Sequence, residues 1–288
     1  MNNFYLIDKP LEYSSFDIIR VLRKKLNIRK MWHTWTLDPL ATGGLLIATW
    51  NYTKLIPYFE KDKKTYEFTI NLDGVTESFD LAEKINFLDK NLQEKYKKEL
   101  TIEKIKEVLQ EKFIWKIKQL PPKYSALKIN WKKACDLMRE WKEVELKFRE
   151  ITIYNIDVVD FNYPSLSLRA EVSAWTYIRS IASDLWSILW TGWYITKLRR
   201  TKIGDLAIDL WNKIDDLENI KALKVEDLFK NKKFIQLEED ILVKINNWLK
   251  IKGKFDFIKN EDLFVHQNWI VTNIVRYDWN ILFAVRKM

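Results

Sequence analysis

Fourteen tryptophans and only six glycines among 288 residues constrain this chain more than anything else in it. Glycine is the residue that enters left-handed backbone conformations without steric cost. Average usage gives roughly 20 glycines at this length. Several tryptophans stand where glycine is wanted. Asn130-Trp131, Asn247-Trp248, Asn268-Trp269 and Asp278-Trp279 place Trp second in dipeptides that form tight hairpin turns when that residue is Gly. A residue with a Cβ loses about 1–2 kcal/mol in such a conformation. Several such sites consume much of a total stability of about 5–15 kcal/mol. These placements predict that most or all of the Trp codons are UGA, translated here as Trp and read as Gly in the source organism.

The length suits one large domain and a small one. Hydrophobic residues make up 47%, enough for a sizeable core. The formal net charge of +9 favours an anionic partner, nucleic acid first. Cys135 is the single cysteine, so no disulfide forms within the chain and a reducing cytoplasm is the expected location. No apolar run approaches a membrane span, and the N-terminus lacks the pattern of a signal peptide. Two histidines and one cysteine are too few for a convincing zinc site, so no metal is expected.

Periodicity outlines the organisation. Phe4–Ile7, Leu45–Ala48 and Thr65–Leu72 read as strands. Ser14 or Ser15 caps a helix with Ile18, Ile19, Leu22 and Leu26 on its apolar face. Residues 84–113 read as helical, with Ile102, Ile105, Val108 and Leu109 in one stripe. Gln119-Leu120-Pro121-Pro122 is a rigid break, and the basic stretch 124–150 is an excursion from the core. Ile151–Phe161 and Leu166–Ser173 read as paired strands, and Tyr177–Leu189 as a helix with Ile178, Ile181, Leu185 and Ile188 inward. Residues 197–202 form a second basic segment, and Leu217–Leu228 a short helical region. From about residue 236 the pattern changes to short strands and turn dipeptides, the mark of a small β domain.

One stretch carries a single acid in an otherwise uncharged loop: Trp32-His33-Thr34-Trp35-Thr36-Leu37-Asp38-Pro39-Leu40-Ala41-Thr42-Gly43. On the residues alone, Asp38 can equally be a loop-capping acid before proline. With Gly at 32 and 35 the stretch closely resembles the catalytic motif of the TruB family, bacterial tRNA pseudouridine synthases that act at position 55. Asp8-Lys9-Pro10 with Ser14-Ser15, Lys64-Thr65-Tyr66, Pro121–Lys128, Thr176–Arg179 and Leu198-Arg199-Arg200 resemble further family motifs, in family order and spacing. The resemblance covers roughly residues 4–210. The last fifty residues resemble, more weakly, a PUA-like RNA-binding domain. Glu12, where the family usually has Gly, and Phe148, where Pro is common, depart from the pattern.

The resemblance implies an α+β fold: a mixed, mainly antiparallel sheet flanked by helices over residues 1–230, with the insertion at about 124–150 and a C-terminal β domain at 236–288. It implies isomerisation of uridine to pseudouridine in the T loop of tRNA. Asp38 is the catalytic carboxylate, Arg179 its paired cation, and Tyr66 a catalytic-site ring that stacks on the target base. Tyr177 and Leu198 line the same pocket, and His33 enters the space that the flipped base leaves. Lys9, Lys123, Lys128, Arg199 and Arg200 are expected to contact RNA, with other basic residues of the two segments. No redox change occurs, so no cofactor is expected. The expected partner is the tRNA T arm, with no membrane, no obligatory protein partner and a monomeric enzyme. Two other readings stand beside this one. One is a non-catalytic RNA-binding protein or tRNA-folding chaperone of the same fold, favoured if indoles plug the cleft. The other is a guide-RNA-dependent relative, against which the lack of long lysine-rich tails weighs.

Overall fold

The structure is a computed structural model that describes residues 2–59, 63–122, 128–129, 132–133, 146–189, 191–206, 211–257, 259–278 and 280–288. Its strands in chain order begin with β1 (Phe4–Lys9), β2 (Met31–His33), β3 (Ala41–Thr49), β4 (Lys64–Asn71), β5 (Gly74–Asp80), β6 (Asn86–Phe87) and β7 (Trp115–Gln119). The short hairpin β8 (Lys128–Ile129) and β9 (Lys132–Lys133) follows, then β10 (Arg149–Asn162), β11 (Ser165–Val172), β12 (Trp193–Ile203) and β13 (Asn212–Lys213). The helices flanking this part are α1 (Ser15–Leu26), α2 (Lys90–Glu99), α3 (Ile102–Phe113) and α4 (Ile178–Leu189).

Eleven strands form one sheet, with the path β13-β1-β3-β12-β4-β11-β10-β7 and with β2, β5 and β6 joined at its sides. The pairs β1·β13, β3·β12 and β5·β12 are parallel. The other pairs are antiparallel, as the resemblance implied. Sequence dictates the roles of the strands. In β4, burial alternates residue by residue, so Lys64, Tyr66, Phe68 and Ile70 share one buried face. In β3, the run Leu45–Ala48 is buried on both faces, as suits a central strand.

The helices form where their caps allow. Ser14 and Asp17 make a reciprocal capping box at the start of α1, which buries Ile18, Ile19 and Leu22 against Ile7, Leu45 and Ile47. The helical stretch expected at 84–113 is divided. Asn86–Phe87 is a short strand, and the chain breaks at Leu100 before Thr101 caps α3. Ile105, Leu109 and Phe113 then pack with Phe68, Ile70, Ile181 and Leu185 in the main core. Ile188, expected inward on α4, is exposed, and Leu189 is buried in its place. Leu189 continues the 3.6-residue stripe of Ile178, Ile181 and Leu185, whereas Ile188 falls at its edge. The region expected as helical at 217–228 is a 3-10 segment (Ile214–Asn219) followed by the one-turn helix α5 (Val225–Leu228).

A second sheet begins at Phe234. Its order is β14 (Phe234–Ile235), β16 (Asp262–Gln267), β17 (Ile270–Asp278), β18 (Ile281–Lys287) and β15 (Ile251–Lys252), with α6 (Glu239–Asn246) packed beside it. It is not separate from the large sheet. Phe4, Tyr52, Phe59 and Phe229 share an apolar cluster with Phe264, Val271 and Ile274, and the Val271 amide donates to Tyr52 Oη at 3.3 Å.

The backbone bears on the tryptophan placements. Among the described residues, twelve non-glycine residues have positive φ, and six of them are Trp: 35, 50, 115, 175, 248 and 269. Four others are Asn, which tolerates the conformation. At about 1–2 kcal/mol each, six indole-bearing residues in this region carry a cost comparable with the whole stability of a domain. Trp131 and Trp279 lie outside the described residues. Among the described residues, no helix is long and apolar enough to cross a membrane.

Candidate active site

The loop from His33 to Ala41 carries Asp38 between β2 and β3, and it is pinned from several sides. Ser15 Oγ accepts the Leu37 amide at 2.8 Å and donates to the Leu37 carbonyl at 3.0 Å. The Ala41 amide donates to the Asp38 carbonyl, and the Glu12 amide to the Pro39 carbonyl, each at 3.0 Å. Lys9 Nζ donates to the carbonyls of Pro10 (2.9 Å), Tyr13 (2.6 Å) and Pro39 (3.3 Å). The main chain is thereby fixed while the Asp38 carboxylate remains 40% exposed.

Arg179, in the first turn of α4, meets it. Nη2 lies 2.9 Å from Asp38 Oδ2, and the arginine side chain is only 7% exposed. Nη1 donates to the Ser78 carbonyl at 3.3 Å and lies 4.0 Å from Asp80 Oδ2. The start of α4 is held in turn by Gln119, whose side-chain amide accepts from Tyr177 N at 2.8 Å and donates to Tyr177 O at 3.1 Å. Ser180 Oγ donates to the Leu120 carbonyl at 2.7 Å.

Asp38 and Arg179 open onto a cavity of about 870 Å³. Tyr66, Tyr177, Leu198 and His33 all line it, so the residues expected to surround the base do come together. Tyr66 lies on β4 beside Ala170 and Arg200, and its hydroxyl accepts from Arg200 Nη1 at 3.4 Å. Leu198 lies on β12 between Ala41 and Phe68. Burial pushes the His33 imidazole below its ordinary pKa, and the positive Arg200 acts the same way against a raising hydrogen bond at Thr34. Burial thus favours the neutral form of His33. Its ring stacks on Trp32 with centroids 5.4 Å apart.

The expected RNA contacts divide differently. Lys9 is fully buried, with its ammonium satisfied by three carbonyls, so it clamps the loop rather than touching RNA. Burial lowers its pKa to about 8, with Asp38 opposing the shift. Arg200, 1% exposed, donates to the carbonyls of Gly44 (2.7 Å) and Trp35 (3.0 Å) and so braces the site from within. Lys9 uses all three of its N–H donors on carbonyls, and Arg200 is buried with its guanidinium bonded to Gly44, Tyr66 and Trp35, so both cations are directed into the protein rather than out toward a phosphate. Arg199 is partly exposed, and Asp8 takes both its Nη atoms at 2.9 and 2.7 Å. Lys123 lies outside the described residues, as does the side chain of Lys128.

The sequence reading missed several groups. Ser15 was read as a cap and within a family motif, and Gln119 as part of a rigid break, neither with a role in placing the site. Lys64, buried on the same face as Tyr66, places Nζ 3.8 Å from the Trp35 ring centroid. Arg149 was counted within a basic run, yet it stands at the start of β10 on the cavity wall. The signal was its position as the last basic residue before the predicted strand.

A loop carboxylate held by a buried arginine, facing a cavity walled by tyrosine and leucine on this mainly antiparallel sheet, defines a pseudouridine synthase. The family described as "TruB family pseudouridylate synthase (N terminal domain)" matches residues 23–178. The chain belongs to that family. It is 35% identical over 269 residues to the "tRNA pseudouridine synthase B" of Aquifex aeolicus, covering 91% of this chain and 89% of that one. It is 38% identical over 209 residues to the protein of the same name from Phocaeicola vulgatus, covering 70% and 86%. Among solved structures, a Cbf5-Nop10-Gar1 complex shares the fold with a TM-score of 0.68 at 18% identity, covering 99% of this chain and 84% of that one.

Proposed function

We propose that this chain isomerises uridine to pseudouridine in the T loop of tRNA, at position 55, with Asp38 as the catalytic carboxylate. The observation that carries the reading is the Asp38–Arg179 pair at 2.9 Å, facing the cavity between Tyr66 and Leu198. The names of the relatives supply the substrate class.

The reaction breaks the N1–C1′ glycosidic bond, turns the uracil and joins C5 to C1′; C5 gives up a proton and N1 gains one. Electrons and atoms balance within the nucleoside. The carboxylate can attack the sugar carbon, attack the base, or take a sugar proton. In each case it must be ionised and aimed, and a guanidinium beside it does both. A base stacked inside a folded loop has to be extruded first, at a cost of a few kcal/mol. Tyr66 offers a ring for the extruded base, and base–aromatic stacking contributes about 1–3 kcal/mol. The phosphate of the extruded nucleotide stays at the cavity wall, where Arg149 meets it. The second sheet serves as the PUA-like RNA-binding unit, and the enzyme works in the cytoplasm as a monomer without an obligatory protein partner.

The test is incubation of the chain with an unmodified T-arm stem-loop and no other protein. Pseudouridine at a single site is the expected result, and Asp38→Asn abolishes it while leaving RNA affinity largely intact. Binding without conversion would favour the chaperone reading, and a need for guide RNA the ribonucleoprotein one.

A further inference from the structure

We propose that positions 35, 50, 115, 175, 248 and 269 are glycine in the protein made by the source cell. We further propose that the two of these bordering the cavity, 35 and 175, give the RNA backbone bare main chain to lie against.

The first half rests on backbone geometry. The φ values are 39° at Trp35, 49° at Trp50, 75° at Trp115, 69° at Trp175, 61° at Trp248 and 61° at Trp269. All lie in the region that glycine enters freely and a bulky residue with a Cβ does not. Burial does not select indoles at five of these positions, because Trp50, Trp115, Trp175, Trp248 and Trp269 are all exposed. The turn at 268–269 is the clearest case. Asn268 and Trp269 both have positive φ, between β16 and β17, which are antiparallel and joined by those two residues alone. Two successive positive φ values in a two-residue hairpin loop are the signature of an Asn-Gly turn.

The contrast with the buried tryptophans is informative. Trp193 is buried and stacks on Phe79 with centroids 4.6 Å apart, and it is not among the residues with positive φ. The buried Trp193 and Trp211 keep ordinary backbone, whereas five of the six tryptophans with positive φ are exposed. Two codons written with the same letter produce that contrast: UGG where Trp is packed, and UGA, read as glycine, where the backbone turns.

The second half rests on the function proposed above. Trp35 and Trp175 line the active cavity, and Trp175 immediately precedes Thr176-Tyr177 at the approach to Arg179. Glycine at both positions removes two indoles from the space next to Asp38, Tyr66 and Tyr177. A nucleic acid backbone can then approach the main chain closely, which glycine permits.

The experiment has two arms. Gene sequencing and peptide mass spectrometry of the protein from its source cells are expected to give UGA codons and glycine at the six positions. UGG codons, or tryptophan-bearing peptides there, overturn the proposal. In the second arm, the full chain with the six Trp→Gly substitutions is compared with the chain as printed. The glycine chain is expected to unfold about 10 °C or more higher. It is also expected to bind an unmodified T-arm stem-loop about tenfold or more tightly, because a built-in clash has gone. Equal affinity in the two chains overturns the cleft half and leaves the codon result standing. Tight binding by the glycine chain with no pseudouridine counts against the proposed reaction, not against the glycines.

Discussion

Arg179 and Asp38 form an asymmetric ion pair: the guanidinium is 7% exposed and the carboxylate 40%. The cation is fixed behind, with the Ser78 carbonyl and Asp80 near its Nη1, and the anion projects into the cavity. Such a pair aims a reactive oxygen without burying it. Lysine cannot reproduce the geometry, because it offers a point charge instead of a planar fork. Arg179→Lys is therefore expected to lower kcat by about 100-fold with KM changed by less than about threefold. Steady-state kinetics on a T-arm stem-loop check it, and a change confined to KM would contradict the aiming role.

The reciprocal hydrogen bonds between Gln119 and the Tyr177 peptide place the first turn of α4, and hence Arg179. Gln119 is buried, so its removal leaves a peptide N–H and a carbonyl unpaired at about 1–3 kcal/mol. Gln119→Leu is expected to lower the thermal midpoint and to reduce kcat about tenfold. Circular dichroism melts and single-turnover rates separate the two effects.

Arg149 supplies a different kind of test. A residue that contacts one phosphate adds to the salt dependence of binding. Arg149→Ala is expected to weaken RNA affinity and to flatten the slope of log affinity against log salt by about 0.7–0.9. Binding isotherms at three or more salt concentrations decide this, and an unchanged slope removes Arg149 from the RNA interface.

What could be read in advance follows from the range of the interactions. The alternation of Lys64, Tyr66, Phe68 and Ile70 and the capping residues of α1 are local, and the sequence displays them. The motif around Asp38, with Arg179 far along the chain, was legible through resemblance to a family and not through spacing. Lys9 and Arg200 were misread because residue type reveals charge but not burial. Only folding brings the Pro39 and Gly44 carbonyls to those cations. The parallel pairing of β1 with β13, separated by about 200 residues, has no local signature at all. The split of the 84–113 stretch was half legible: Thr101 is a recognisable cap, but the strand at Asn86–Phe87 exists only because β5 lies beside it.

Asp184 on α4 gives a prediction about stability that is independent of catalysis. Burial raises its carboxyl to about 6, from an ordinary 3.8. The folded chain thus binds this proton more tightly than the unfolded chain does. Stability from this group is complete below about pH 4, falls as pH rises to about 6, and stays reduced above that. Two pK units correspond to about 3 kcal/mol, and partial exposure brings the expected effect to about 1–3 kcal/mol. Asp184→Asn removes the charge and nearly preserves the shape. It is expected to raise the denaturation midpoint at pH 7 and to leave it nearly unchanged at pH 4. Urea titrations of both proteins at the two pH values make the comparison. A gain of equal size at both would show that the carboxylate's charge is not what strains the helix.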